Sequence, residues 1–114
     1  MKKLIYVAAP YTHPDPVANT HKAIQVAEEL VERGFMPLIP HLLLLWHIVS
    51  PHKEDFWYEC GRELLRRCDG LLRIEGESKG ADWEVELAKE WGIPVYYSIS
   101  EVSHEHKETL RAGR

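Results

Sequence analysis

The segment Ser78-Lys79-Gly80-Ala81-Asp82-Trp83-Glu84-Val85-Glu86-Leu87-Ala88 sets a small-residue turn immediately before carboxylates on an incipient helix. Gly70 to Ile74 ahead of it reads as a buried strand, and Gly92-Ile93-Pro94-Val95-Tyr96-Tyr97 behind it as the next one. A carboxylate in the first turn of a helix, just past the C-terminal end of a parallel strand, lies where open α/β sheets hold their ligands. Glu84 is therefore the first candidate for chemistry, as a nucleophile or as the counter-charge to a developing cation. Asp82 and Glu86 flank it, but residues two apart on a helix point to different faces, so neither forms a pair with it. Trp83 beside it is either a core residue or a wall of a pocket.

The elements that must position Glu84 follow from the hydrophobic pattern. Leu4-Ile5-Tyr6-Val7-Ala8-Ala9 is a continuous apolar run closed by Pro10 and predicts a buried first strand. Pro10 to Pro16 is a turn-rich loop. From Val17 to Arg33 the residues Val17, Ala23, Ile24, Ala27, Leu30 and Val31 recur at helical spacing, with Gly34 as the stop. Phe35 to Ile39 predicts a second strand, which tolerates Pro37 only at an edge or at a position without a ladder bond. His41 to Val49 is too apolar for a plain loop and predicts a short helix or lid-like insertion. Glu54 to Arg67 is amphipathic, with Phe56, Trp57, Cys60, Leu64 and Leu65 inward. Asp69 to Ile74, Trp83 to Trp91 and Ile93 to Tyr97 complete the series as strand, helix and strand. This alternation predicts a single α/β domain over residues 1–100, three-layered and doubly wound around a mostly parallel sheet of about four or five strands, Rossmann-like or flavodoxin-like. Residues 101–114 form a polar tail with the capacity for a short helix.

Composition narrows the function classes. With 45% hydrophobic and 28% charged residues, the 114-residue chain has the make-up of a soluble globular protein. Its net charge of -4 and the lack of a Lys/Arg block beyond Arg66-Arg67 do not favour a nucleic-acid partner. The apolar run at Leu42 to Val49 is far shorter than the roughly 20 residues a membrane span needs, and no cleavable signal pattern precedes the first strand. Cys60 and Cys68 stand about 12 Å apart on a common helix, whereas a disulfide needs about 5.5 Å. Free thiols and a cytoplasmic location are the expectation.

Known phosphate motifs are missing: no Gly-x-Gly-x-x-Gly follows the first strand, and no Gly-x-x-x-x-Gly-Lys-Ser/Thr occurs. In their place stand Ala8-Ala9-Pro10-Tyr11-Thr12. Small side chains at Ala8 and Ala9 either let a flat ligand approach the strand end, with Tyr11 stacking on it, or pack beneath a helix. His41, His47 and His52 are spaced by six and five, which fits neither a helical His pair nor a finger, and His104 and His106 lie in the polar tail. No metal and no cofactor are expected. His41 follows the second strand at its C-terminal end, where it can touch a base or a 5'-group. Asp69 is read as structural, at the start of the third strand.

Together, Ile5-Tyr6-Val7-Ala8-Ala9-Pro10-Tyr11-Thr12 and Ser78-x-Gly80-x-x-x-Glu84 resemble the nucleoside 2-deoxyribosyltransferase-like superfamily, in one of its small branches. The strand opening Cys68-Asp69-Gly70-Leu71-Leu72 and the later Gly92-Ile93-Pro94-Val95 extend the resemblance over roughly residues 4 to 97. It implies that Glu84 is the glutamate that attacks the anomeric carbon and forms a glycosyl-enzyme, and that the Tyr6 hydroxyl orients it. Without that match, Tyr6 is an ordinary core tyrosine. It further implies that Ser78 and Gly80 lie against the sugar or its 5'-substituent, and that the loop Pro10-Tyr11-Thr12, with Ala9 before it, holds the base. Cleaving an N-glycosidic bond develops oxocarbenium character, which a buried carboxylate stabilises and then traps. On this view a helix N-terminus and a tyrosine hydroxyl keep Glu84 ionised at neutral pH.

Two departures stand out. Many relatives carry a substrate-binding aspartate where this chain has Gly61, leaving Asp55 or Glu59 on the same helix to substitute. The phosphate-binding hydrolases carry an arginine in the loop after the first strand, and Tyr11-Thr12-His13 supplies none. The resemblance thus implies transfer of deoxyribose from an unphosphorylated 2'-deoxynucleoside to another base or to water. A 5'-monophosphate N-hydrolase and a non-catalytic nucleotide-binding module are the alternatives. It also implies a homodimer or higher homo-oligomer with shared sites, to which Ser98 or Ser100 contributes in trans; the apolar residues Leu42 to Val49 suit such a contact.

Overall fold

The computed structural model describes residues 1–104 and is a parallel four-stranded sheet in the order β2-β1-β3-β4. The strands are β1 (Leu4–Ala8), β2 (Met36–Leu38), β3 (Gly70–Arg73) and β4 (Val95–Tyr96), and the helices are α1 (Pro16–Glu32), α2 (Leu44–Val49), α3 (Glu54–Arg66) and α4 (Lys79–Glu90). A turn of 3-10 helix, Pro40–Leu43, leads into α2, so the apolar insertion is helical as expected. The expected tail is described only to His104, after a second 3-10 turn at Ile99–Glu101; the helix expected of it lies outside the described residues.

β1 is apolar throughout because it is central: β2 flanks it on one side and β3 on the other. Alternation along it serves both layers. Tyr6 and Ala8 pack with Leu65 of α3 and with Ala81, Val85 and Ala88 of α4. Ile5 and Val7 pack with Ala23 and Leu30 of α1 and with Phe35. Each valine, leucine, isoleucine or phenylalanine among them, fully buried, contributes about 1.5–3 kcal/mol. β2 lies at the sheet edge, which is how Pro37 is tolerated. The chain leaves β1 toward β2, then returns past β1 to β3. The C-terminal ends of β1 and β3 therefore border a topological switch point, where such sheets leave a crevice.

Two local expectations give way. Val17, Ile24 and Val31 point to solvent (69%, 38% and 45% exposed), and α1 buries Ala23, Ala27 and Leu30 instead. The small alanines let α1 lie close to the sheet and turn the bulkier residues outward. α4 begins at Lys79 rather than Trp83, because Ser78 caps it by accepting a hydrogen bond from the Ala81 amide at 3.1 Å. The turn itself is made at Gly76, whose φ of +126° suits glycine and which packs so closely on Pro10 that a Cβ would sit 2.7 Å from its Cγ. Asp69 is structural, and lies at the other end of the sheet: its carboxylate accepts from the Leu4 amide at 2.8 Å.

Candidate active site

β1 and α4 bring one hydroxyl and one carboxyl group together inside the fold. Tyr6 is fully buried on the face of β1 that α3 and α4 cover, and its hydroxyl donates to Oε2 of Glu84 in a very short hydrogen bond. Oε1 of Glu84 accepts no hydrogen bond from the described residues. Because α4 starts at Lys79, Glu84 sits in its second turn and not its first, so the helix terminus acts on it less than expected. Burial dominates, and pushes the carboxyl up to about 7, against the smaller downward pull of the Tyr6 hydrogen bond and the Arg73 charge. The expected fully ionised carboxylate is therefore about half protonated at neutral pH. Burial, then the Glu84 charge and the hydrogen bond to it, raise Tyr6 well above the usual phenol range, so it stays a donor.

Gly61 explains how the pair fits. A Cβ there would stand 3.0 Å from Tyr6 Oη and 3.5 Å from Glu84 Oε2, so the α3 backbone packs directly on the two groups. An aspartate at that position would run into the tyrosine hydroxyl.

Arg73 supplies the nearby charge. It is 9% exposed, with its guanidinium donating to the carbonyls of Ile74 and Gly76 (the latter at 2.8 Å) and to Asp82 Oδ1 at 3.0 Å. It thereby ties the loop after β3 to the first turn of α4. A lone arginine in the run Leu71-Leu72-Arg73-Ile74 was the available signal, and sequence reasoning passed over it.

A cleft of about 1220 Å³ opens over the pair, larger than the few hundred to 1,000 Å³ typical of small-ligand pockets. Its lining includes Tyr6, Ala9, Pro10, Tyr11, His41, Ser78, Gly80, Trp83 and Glu84. Asp55 is exposed and not part of the lining; α3 contributes Glu54, Trp57, Tyr58 and Gly61. Ser78 spends its hydroxyl on the α4 cap, and Gly80 lies within that helix rather than in a turn. Trp83, 37% exposed, meets Tyr58 edge-on at 5.3 Å and forms part of the wall. The 3-10 turn and α2 bring His41 and His47 into the lining, and Trp57 Nε1 donates to His47 Nδ1 at 2.8 Å. Ser98 and Ser100 hydrogen-bond each other at 3.0 Å near β4 and are not part of the lining. Among the described residues no three His, Cys, Asp or Glu side chains converge to hold a metal ion, and no helix is long and apolar enough to cross a membrane.

The fold is shared with a solved structure, the 2-desoxiribosyltransferase from Leishmania mexicana, at a TM-score of 0.62 and 20% identity. The match covers 82% of this chain and 61% of that one, so this chain spans less than two thirds of its neighbour's length. No curated protein matches the sequence. A family model described as a domain of unknown function, DUF7768, matches residues 3–98, and the chain belongs to that family.

Proposed function

We propose that this protein cleaves the N-glycosidic bond of a 2'-deoxynucleoside through a covalent intermediate on Glu84 and passes the deoxyribosyl group to another nucleobase or to water. The observation that carries the reading is the buried Tyr6–Glu84 pair at the floor of the cleft. Tyr6 holds Oε2, which leaves Oε1 to attack C1' of the sugar. As the C1'–O bond forms, the C1'–N bond breaks, and its electron pair leaves with the base, which takes up a proton. The incoming base or water then attacks C1', returning the electron pair to Glu84 and losing a proton. No cofactor enters either step. The fold shared with a deoxyribosyltransferase supports the same reading.

A 5'-monophosphate substrate is the second reading, supported by Lys22, Lys79 and Asn19 in the cleft lining. Incubating the protein with each deoxynucleoside and its 5'-monophosphate, with and without a second free base, tests both, with released or exchanged base followed chromatographically. Release should rise with pH through about 7 as Glu84 ionises, and Glu84→Ala should lower it by at least about a thousandfold. Binding without release across all substrates sinks the catalytic reading.

The reading extends to a homo-oligomer. Its support is the apolar surface of Leu42, Leu45, Trp46, Ile48 and Val49, each 46–84% exposed.

A further inference from the structure

Beyond the Tyr6–Glu84 pair, the fold fixes one further ring in the cleft lining. Nδ1 of His47 accepts two hydrogen bonds, from Trp57 Nε1 at 2.8 Å and from the His52 amide at 3.3 Å. An indole N–H and a backbone N–H only donate, so Nδ1 carries no hydrogen and Nε2 carries it. The surroundings hold the ring in that orientation. Trp57 meets it edge-on at 5.4 Å, Trp46 meets Trp57 at 5.3 Å, and His52 stacks on Phe56 at 3.9 Å, so α2 and the start of α3 brace each other around it.

The hydrogen on Nε2 is left without an acceptor. Nε2 of His47 has no hydrogen-bond partner among the described residues, and it is accessible: the unpartnered side-chain nitrogen or oxygen that the fold buries there is Nδ1 of His41, not this atom. His47 is half-buried and lines the cleft. Trp57 and His52 cover its Nδ1 edge, so the edge that carries Nε2 is the one the cleft meets.

We propose that the Nε2 hydrogen of His47 is donated to an acceptor on the edge of the substrate's nucleobase, a ring nitrogen or a carbonyl oxygen, so that the cleft selects among bases by an acceptor at that position. The proposal rests on the nucleoside reading above and adds the recognition chemistry to it. C1' has to lie at Glu84, on which Gly61 packs. Trp57 stands four residues before Gly61 on the same face of α3, one turn or about 6 Å along the helix. A base bonded to C1' spans that interval, and Tyr11, Trp57 and Tyr58 give the lining flat side chains that suit a planar ring. Loss of the Nε2 hydrogen would leave an imidazolate, or a hydrogen on Nδ1 facing two donors. His47 therefore recognises the base and does not protonate it.

Binding measured by calorimetry to the Glu84→Gln protein separates recognition from turnover. Base analogues weaken one acceptor at a time: 1-deaza-, 3-deaza- and 7-deaza-2'-deoxyadenosine against deoxyadenosine, and 2-thiothymidine and 4-thiothymidine against thymidine. At least one analogue should bind about tenfold more weakly than its parent, and that analogue identifies the acceptor. Adding His47→Asn puts an amide oxygen near the place of Nδ1, able to accept from Trp57, and no donor near Nε2. That variant should keep its melting temperature, since α2 buries none of its residues, and lose the discrimination. Adding His47→Gln, whose amide nitrogen reaches the place of Nε2, should retain part of it. No discrimination against any analogue, discrimination that survives His47→Asn, or a His47-dependent gain in affinity that follows only a 5'-phosphate overturns the proposal. Base release without discrimination defeats this inference and leaves the catalytic reading standing. His47-dependent discrimination in a parent protein that never releases base does the reverse.

Discussion

At the scale of single residues, Glu84 depends on an atom that is not there. Gly61 lets the α3 backbone pack closely on the Tyr6 hydroxyl and the Glu84 carboxyl, a carboxyl whose burial raises its proton affinity. Gly61→Ala would place a methyl group 3.0 Å from Tyr6 Oη, inside normal contact distance, so the hydroxyl has to shift. Alanine also favours a helix interior by about 1 kcal/mol over glycine, which offsets much of the crowding. The variant should therefore melt within a few degrees of the parent while base release falls by about tenfold or more, since the shifted hydroxyl no longer fixes the carboxyl oxygen. Rates of release set beside thermal melts check this. Unchanged rates would mean that Tyr6 is a core tyrosine whose hydroxyl happens to meet Glu84.

At the scale of elements, α2 differs from its neighbours in burying none of its residues, although all but His47 are apolar. Leu45 and Ile48 are 69% and 65% exposed, so replacing both with glutamate removes no core packing. If α2 is the contact between copies, Leu45→Glu with Ile48→Glu should convert a dimer to a monomer in sedimentation with little loss of intrinsic stability; a parent that sediments as a monomer defeats the oligomer. The same element shows what was legible in the sequence. Its apolar run announced a helix, as the run Leu4 to Ala9 announced β1 and Gly34 announced the end of α1, because burial and turn chemistry are written locally. The start of α4 was misjudged since it depends on whether the Ser78 hydroxyl turns to a ligand or to the Ala81 amide, a choice that spacing does not encode. The apolar pattern of α1 contained its buried residues, Ala23, Ala27 and Leu30, but spacing alone did not separate them from Val17, Ile24 and Val31, which face solvent. Glu84 and Tyr6 were legible as a pair only through resemblance, and Gly61 packs against both from a third element, which spacing does not reveal.

At the scale of the whole molecule, a buried acid at the switch point makes folding depend on pH. Below about 4.5, the ordinary carboxyl value, Glu84 is protonated whether the chain is folded or not, and the stability tied to its proton is fully present. As pH rises from there to about 7 the unfolded chain gives up that proton while the folded one keeps it, so stability falls. Above about 7 the folded protein holds a desolvated carboxylate, and the accumulated loss is about 3 kcal/mol. His41 acts in the opposite sense, since burial lowers its proton affinity and stability is lost as pH falls through its range. Comparing the parent with Glu84→Gln cancels the His41 contribution, because both proteins carry it, and the glutamine carbonyl can still accept from Tyr6. The two should melt close together at pH 5, and the variant should melt higher at pH 8 by on the order of 10 °C. Equal melting temperatures at both pH values would show that Glu84 is solvated in the folded protein, and with that the argument for a desolvated nucleophile would fail. A gap that stops growing at the pH where base release reaches half its maximum would show one proton governing both, so that this fold gives up stability to hold the reactive carboxylate.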